Sequence, residues 1–261
     1  MPIITLTTDF GTRDAYVAAM KGVIMQAAPQ ATVVDVSHEI EPYNILHGAF
    51  VLRHTVPWFP AGTVHVVVVD PGVGSARRIL VGRFAGQFVV APDNGVISLL
   101  QRELRVEEMR VVENRRLMLP HVSPTFHGRD IMAPVAAHLA TGTSLREVGP
   151  ATDRAEVLQL PQAKLDAEYK LTGQILYTDR FGNLITNIAR SDLALTFKHR
   201  LDIEVRLDST SVGPIRQAYQ DVALGEPLAL IGSSDMVEIA VHGGSASERF
   251  RPAANCPVHV G

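Results

Sequence analysis

Four consecutive valines, Val66 to Val69, follow His65 and stop at Asp70-Pro71-Gly72. A strand with one face in water alternates apolar and polar residues. This run does not, so it is expected in the middle of a sheet with both faces covered. A layered α/β arrangement supplies such cover, and the flanking sequence agrees. Short β-branched runs at Ile3–Thr7, Thr32–Val36, Val64–Val69, Ile79–Arg83 and Phe88–Val90 alternate with helical spacing over Ala15–Gln26, where Val17, Met20, Val23 and Ile24 recur, and over Asn44–His54. The expectation is an α/β N-terminal domain over residues 1–157 with a central, largely parallel sheet. Residues that follow Val69 then lie at a sheet edge, where ligands of open α/β sheets bind.

Between Val112 and Arg129 the chain loses its period around Pro120, His121, Pro124 and His127, before Asp130–Ala140 resumes a helical pattern. A long loop inside a compact domain is often functional. Residues 158–168 mix a proline with charge and read as a linker. Beyond them come short strands without long helices, at Lys170–Tyr177, Leu184–Ile188, Leu201–Leu207, Pro227–Ile231 and Val237–Val241. Residues 169–261 are therefore expected to form a small all-β, barrel-like domain.

Composition removes several function classes. A chain of 261 residues that is 46% hydrophobic and 20% charged can bury a core. Its 24 Lys and Arg against 27 Asp and Glu lack the basic excess of a phosphate-backbone binder, so no nucleic-acid partner is expected. The single cysteine, Cys256, excludes an internal disulfide and a cysteine zinc cluster and reads as a small apolar residue. The apolar run Thr63–Val69 is far short of the ~20 residues that cross a bilayer, and Met1-Pro-Ile-Ile-Thr-Leu-Thr lacks the basic start of a signal peptide. A soluble, cytoplasmic protein with no membrane partner is expected. The histidines show no metal-ligand spacing, so no metal site is expected.

Candidate chemistry lies in a few segments, each with a plainer structural reading beside it. Asp70-Pro-Gly-Val-Gly-Ser-Ala-Arg77 can turn the chain so that a carboxylate and a guanidinium return to one rim; otherwise it is a surface turn. Gly72-x-Gly74 lacks the third glycine and following helix of a dinucleotide fingerprint. Asp9 and Asp14 follow the first strand, where a carboxylate suits a ribose diol, or else they form an Asx turn and a helix start. In Phe126-His127-Gly-Arg-Asp130 the histidine precedes a helix, which favours its neutral, proton-accepting form; it is otherwise an exposed loop residue. Asp179-Arg-Phe181-Gly-Asn183 offers an aromatic face and an amide able to pair with an adenine edge, or a hairpin turn. Gly243-Gly244-Ser245-Ala246 allows close backbone approach to a ligand.

Asp9-Phe-Gly-x-x-Asp14, Val34-Val-Asp-Val-Ser-His38, Asp70-Pro-Gly-Val-Gly, Phe126-His-Gly-Arg-Asp130 and Asp179-x-Phe-Gly-Asn-x-x-Thr-Asn187 together resemble one family, from about Ile3 to Ala246. It is the S-adenosyl-L-methionine (SAM) hydroxide adenosyltransferases, adenosine-forming hydrolases related to fluorinase and chlorinase. The resemblance implies a homotrimer that binds SAM between the N-terminal domain of one subunit and the C-terminal domain of its neighbour, with SAM as substrate and no cofactor. It implies a catalytic set of Asp70, Arg77 and His127, a ribose-binding Asp9 with Tyr43 beside it, and Phe126 at the substrate. Asp14 and Asp179 fall near the methionine end, Asn183 and Phe181 at adenine, and Gly244 and Ala246 in the backbone segment closing over it. The related halogenases lack the Asp, Arg and His set, so its presence argues for water as nucleophile. Ser234 stands where the fluorinase has an arginine for the substrate carboxylate. Two other readings stay open: a calcium-dependent nucleoside hydrolase built on the acidic residues after the first strand, and a module that senses SAM or adenosine without turnover.

Overall fold

The uniformly apolar valine run becomes β3 (Val64–Val68), a strand buried along its whole length. The computed structural model describes residues 1–159, 161–167, 170–198, 203–253 and 255–261. Leu160 and Glu168 of the expected linker, Tyr169 at the expected domain start, and Leu201 and Asp202 of an expected strand lie outside the described residues. The chain divides into two compact units, Met1–Leu158 and Gln159–Gly261.

The first unit contains β1 (Ile3–Thr8), α1 (Tyr16–Ala27), β2 (Thr32–Ser37), α2 (Ile45–Thr55), β3, β4 (Ile79–Phe84), β5 (Gln87–Pro92), α3 (Ser98–Glu103), β6 (Val106–Val111) and α4 (Ala133–Ala140). Its sheet runs β2-β1-β3-β5-β4-β6. Val64, Val66 and Val68 join one core with Met20 and Ile24 of α1 and Val135 and Ala136 of α4. The opposite face carries His65, whose Nδ1 meets Thr5 Oγ1 at 2.8 Å and whose Nε2 meets Gln87 Oε1 at 2.8 Å. Burial lowers the pKa of His65, so this ladder is held by a neutral ring.

The sheet is mixed, which corrects the expectation of a largely parallel one. β1 pairs parallel with β2 and β3, and β3 with β5, but β4 runs antiparallel to both β5 and β6. Only Ala85 and Gly86 separate β4 from β5. A two-residue link makes a hairpin, whereas a parallel return needs a crossover of a dozen residues or more. The strand β6 and the helix α3 are additions to the elements expected in this unit.

One consequence of strand order positions the site. From β1 the chain goes to β2 on one side and then to β3 on the other, so the carboxyl ends of β1 and β3 flank a topological switch point. Thr8 and Val68 are register partners at those ends, and the residues that follow are Asp9 and, past Val69, Asp70.

The second unit contains β7 (Lys164–Leu165), β8 (Leu171–Thr178), β9 (Leu184–Ala189), α5 (Arg190–Phe197), β10 (Glu204–Leu207), β11 (Thr210–Arg216), β12 (Pro227–Ile231), β13 (Met236–Val241), α6 (Ala246–Phe250) and β14 (Pro257–Val260). Seven strands close a barrel in the order β8-β9-β13-β12-β11-β10-β14, with β14 returning to β8 and β7 added on β8. Closure removes the sheet edges that such short strands would otherwise expose. Leu171, Leu184, Ile188, Val205, Ile239 and Val260 fill the interior.

Candidate functional site

At the switch point, a cleft of about 360 Å³ is lined by Asp9, Tyr43, Asp70, Phe126 and His127, with Phe10, Tyr16 and Val73 completing its wall. Phe10, Tyr16 and Phe126 pack edge to face or tilted, with ring centroids 5.3–5.7 Å apart. The sequence reading missed Phe10 and Tyr16; their signal was two aromatic residues bracketing Asp14 in an otherwise small and polar turn.

Asp70 closes the central strand, and the turn after it brings back Arg77. Arg77 Nε donates to Asp70 Oδ1 at 3.0 Å and Nη2 donates to Oδ2, a bidentate pair whose side chains are 3% exposed for Asp70 and 10% for Arg77. The same Nη2 lies 2.8 Å from His127 Nδ1. A guanidinium only donates, so Nδ1 is the acceptor and neutral His127 carries its proton on Nε2. Burial, then the positive charge of Arg77, lowers the His127 pKa below its usual 6.5, which keeps the ring neutral. The three residues expected as a set are therefore one connected unit.

Two packing features bring His127 to Arg77. Gly74 has φ +80°, and a β-carbon there would stand 2.4 Å from the Pro124 carbonyl oxygen, so glycine lets the Asp70–Arg77 turn touch the His127 loop. Fully buried Asp130 accepts from Arg129 Nε at 2.5 Å and from the Ser123 N–H at 2.8 Å, tying the loop to its helix. That helix was expected from Asp130; it begins as a π-helical turn, Gly128–Met132, which runs into α4. Such turns are frequent at functional sites.

Asp9 lines the same cleft and accepts the Tyr43 N–H at 2.9 Å. Tyr43 has φ +66°, a left-handed conformation that costs a bulky residue of order 1–3 kcal/mol. The bond to Asp9 offsets part of that cost and holds the tyrosine at the cleft. Burial raises the Asp9 pKa from 3.8, and the nearby Asp70 charge adds to the rise while the Tyr43 N–H opposes it. Asp14 is exposed before α1; it neither caps the helix nor lines the cleft.

The barrel unit has its own cleft, about 370 Å³, lined by Phe181, Asn183, Tyr219, Val241, Gly243 and Gly244. Phe181 is exposed and Asn183 buried. Gly182, with φ +83°, lets the Asp179–Asn183 turn press on Ser245, whose Oγ would stand 2.1 Å from a β-carbon. Buried Ala246 opens α6 next to this contact. Both carboxylate oxygens of Asp179 are engaged inside the turn: Oδ1 accepts from the Phe181 and Asn183 N–H groups at 2.8 and 2.9 Å, and Oδ2 from Asn183 Nδ2 at 3.0 Å. In this geometry Asp179 anchors the turn and the Asn183 amide. Thr186 and Asn187 also serve the fold, donating to the Val237 and Pro161 carbonyls. Ser234 lies between β12 and β13, its hydroxyl buried without a partner among the described residues, and lines neither cleft. Tyr219 and Glu238 escaped the sequence reading; the carboxylate inside Val237-Glu-Ile-Ala-Val241 was the available signal.

Among the described residues no group of three His, Cys, Asp or Glu is arranged to hold a metal ion, and no helix is long and apolar enough to cross a membrane.

The chain as a whole is similar to known proteins. The model of the SAM hydroxide adenosyltransferase N-terminal domain matches residues 4–149, and that of the C-terminal domain matches residues 173–259. Proteins described as (R)-S-adenosyl-L-methionine hydrolase are similar over most of both chains. The one from Salinispora arenicola is 37% identical, covering 95% of this chain and 93% of its own. The one from Thermus thermophilus is 36% identical, covering 97% of each. A fluorinase from an Actinoplanes species is 30% identical, over 92% and 90%. An uncharacterized conserved protein from Thermotoga maritima superposes with a TM-score of 0.90 at 36% identity, covering 100% of this chain and 99% of its own. With both halves of the chain matched in order, and relatives aligned almost end to end, the protein belongs to the SAM hydroxide adenosyltransferase family.

Proposed function

We propose that this protein hydrolyses SAM to adenosine and L-methionine in the cytoplasm, by in-line attack of water on C5′. The observation that carries the reading is the Asp70–Arg77–His127 unit at the switch-point cleft, in a chain whose relatives are described as SAM hydrolases. The sulfonium already activates C5′. As the C5′–O bond forms, the C5′–S bond breaks, sulfur keeps the electron pair, and methionine leaves neutral, so no general acid is required. The demand falls on the nucleophile, which must sit behind the C5′–S bond at roughly 3–3.5 Å.

The hydrogen-bond directions divide the work. Asp70 uses one lone pair on each oxygen for Arg77 and keeps the others, so it is the group able to accept a proton from water. His127 spends its acceptor nitrogen on Arg77 and offers Nε2–H to the water oxygen, orienting the nucleophile. Arg77 holds both partners in register. In this reading Asp9 and Tyr43 take the ribose, Phe126 and its aromatic neighbours cover the reacting carbon, and Asn183, Phe181 and Gly244 take adenine, with Ala246 supporting the segment that closes over it.

The α/β domain of one subunit and the barrel domain of its neighbour enclose the substrate in a homotrimer, as family resemblance implies. A monomeric mass by light scattering would remove that arrangement. The decisive test incubates the protein with SAM and EDTA, alongside Asp70→Asn, and separates the nucleosides by chromatography. Adenosine and methionine in equal amounts from the unaltered protein, and a loss of about 10²–10⁴-fold in the variant, are expected. Loss of activity in EDTA, or bound SAM without product, would overturn the reading.

A further inference from the structure

The barrel cleft contains a polar network that the hydrolytic chemistry does not use. Asn183 Nδ2 donates to Asp179 Oδ2 at 3.0 Å and lies 3.5 Å from the Tyr219 hydroxyl oxygen. Tyr219 in turn donates to Glu238 Oε1 at 2.6 Å, and Glu238 is buried. The directions follow from chemistry. An ionised carboxylate only accepts, so the Asn183 atom facing Asp179 is the amide nitrogen. Because Tyr219 gives its proton to Glu238, its oxygen is an acceptor toward the second Nδ2 proton. Both protons of the Asn183 amide thus face protein acceptors, and Oδ1, which has no protein partner among the described residues, is the group left for the cleft that Asn183 and Tyr219 both line.

We propose that Asp179 and the Tyr219–Glu238 pair are specificity-determining positioning residues: they lock the Asn183 amide so that it shows the cleft a carbonyl oxygen alone, selecting a purine with an amino group at position 6 over one with a carbonyl. An exocyclic amine donates to Oδ1. A 6-oxo group would set two acceptors against each other beside the buried Asn183, where an unsatisfied acceptor is costly. Were the amide free to turn over, it would present N–H₂ to a 6-oxopurine equally well and the preference would vanish. The inference rests on the reading that this cleft takes the adenine of SAM.

Adenosine and inosine are the probes, titrated calorimetrically into the full-length protein. The unaltered protein should bind adenosine roughly 10- to 100-fold more tightly than inosine. In Asp179→Asn the introduced amide offers an N–H where a carboxylate oxygen stood, Asn183 turns over, and the ratio falls toward one or inverts. Tyr219→Phe keeps the ring in the cleft wall but removes the hydroxyl, so the ratio falls in part, together with a loss of thermal stability because buried Glu238 loses its donor. A generally loosened barrel would weaken both nucleosides alike and leave the ratio intact. Full discrimination retained in both variants would overturn the proposal while leaving SAM hydrolysis standing. Equal binding of the two nucleosides by the unaltered protein would also overturn it, and failure to bind adenosine at all would overturn the underlying reading with it.

Discussion

Replacing Arg77 by lysine keeps the charge and removes the fork. In the native unit Nε and Nη2 meet the two oxygens of Asp70, and Nη2 also meets His127 Nδ1 at 2.8 Å. A lysine ammonium is one point donor on a flexible stem and cannot address both carboxylate oxygens in their plane while reaching the imidazole. At least one charge-assisted hydrogen bond is lost, ~1.5–3 kcal/mol. If that bond orients the nucleophile only in the transition state, kcat falls roughly 10- to 150-fold at 1.36 kcal/mol per decade. KM should stay within a few-fold, because Arg77 does not line the substrate cleft. The assay is adenosine release under saturating SAM, with a melting curve as control. Lysine preserves a cation beside the buried Asp70, whereas Arg77→Met would strand that charge at ~3–5 kcal/mol of stability. A folded Arg77→Lys enzyme with unchanged kcat would refute the claim that the guanidinium aligns Asp70 and His127.

Asp9→Ala should raise KM by roughly 30- to 150-fold with a smaller effect on kcat, losing a charge-assisted pair worth ~2–3 kcal/mol and releasing Tyr43 from its left-handed conformation; unchanged affinity by calorimetry contradicts a ribose role. Gly74→Ala forces a β-carbon to 2.4 Å from the Pro124 carbonyl at φ +80°, so kcat should fall at least tenfold in a protein destabilised by ~1–2 kcal/mol, and native turnover would show that the two loops need not touch. The acid limb of kcat/KM should have its midpoint below 6.5, because protonating His127 Nδ1 removes the acceptor for Arg77 and sets cation against cation. With the folded-state pKa lowered, the stability this group contributes is present above pH 6.5 and is lost as pH falls through that lowered value. A limb centred above 6.5, or one that survives in His127→Asn, assigns the titration elsewhere.

Much of the architecture was legible because it is written in local period. Val66–Val69 announced a strand covered on both faces, the helical spacing of Val17, Met20 and Ile24 announced α1, and the shift to short strands after residue 169 announced the barrel. The hairpin that turns β4 against the parallel strands was also written there, in the link Ala85-Gly86, because two residues are too few for a parallel return.

What the sequence determined by itself was which residues could do the chemistry and where each sat in its own element: Asp70 at a strand end, His127 before a helix, Asn183 in a turn. Which of these groups donates and which accepts was decided only by tertiary structure. Arg77 and His127 are 50 positions apart, and Asn183 and Tyr219 36 apart, brought together by strand order and loop packing that no local pattern encodes. Hydrogen-bond pairing then depends on distances that differ by a few tenths of an ångström. On that scale the Nδ1 of His127 meets Arg77, and both oxygens of Asp179 are engaged in the turn that carries Asn183.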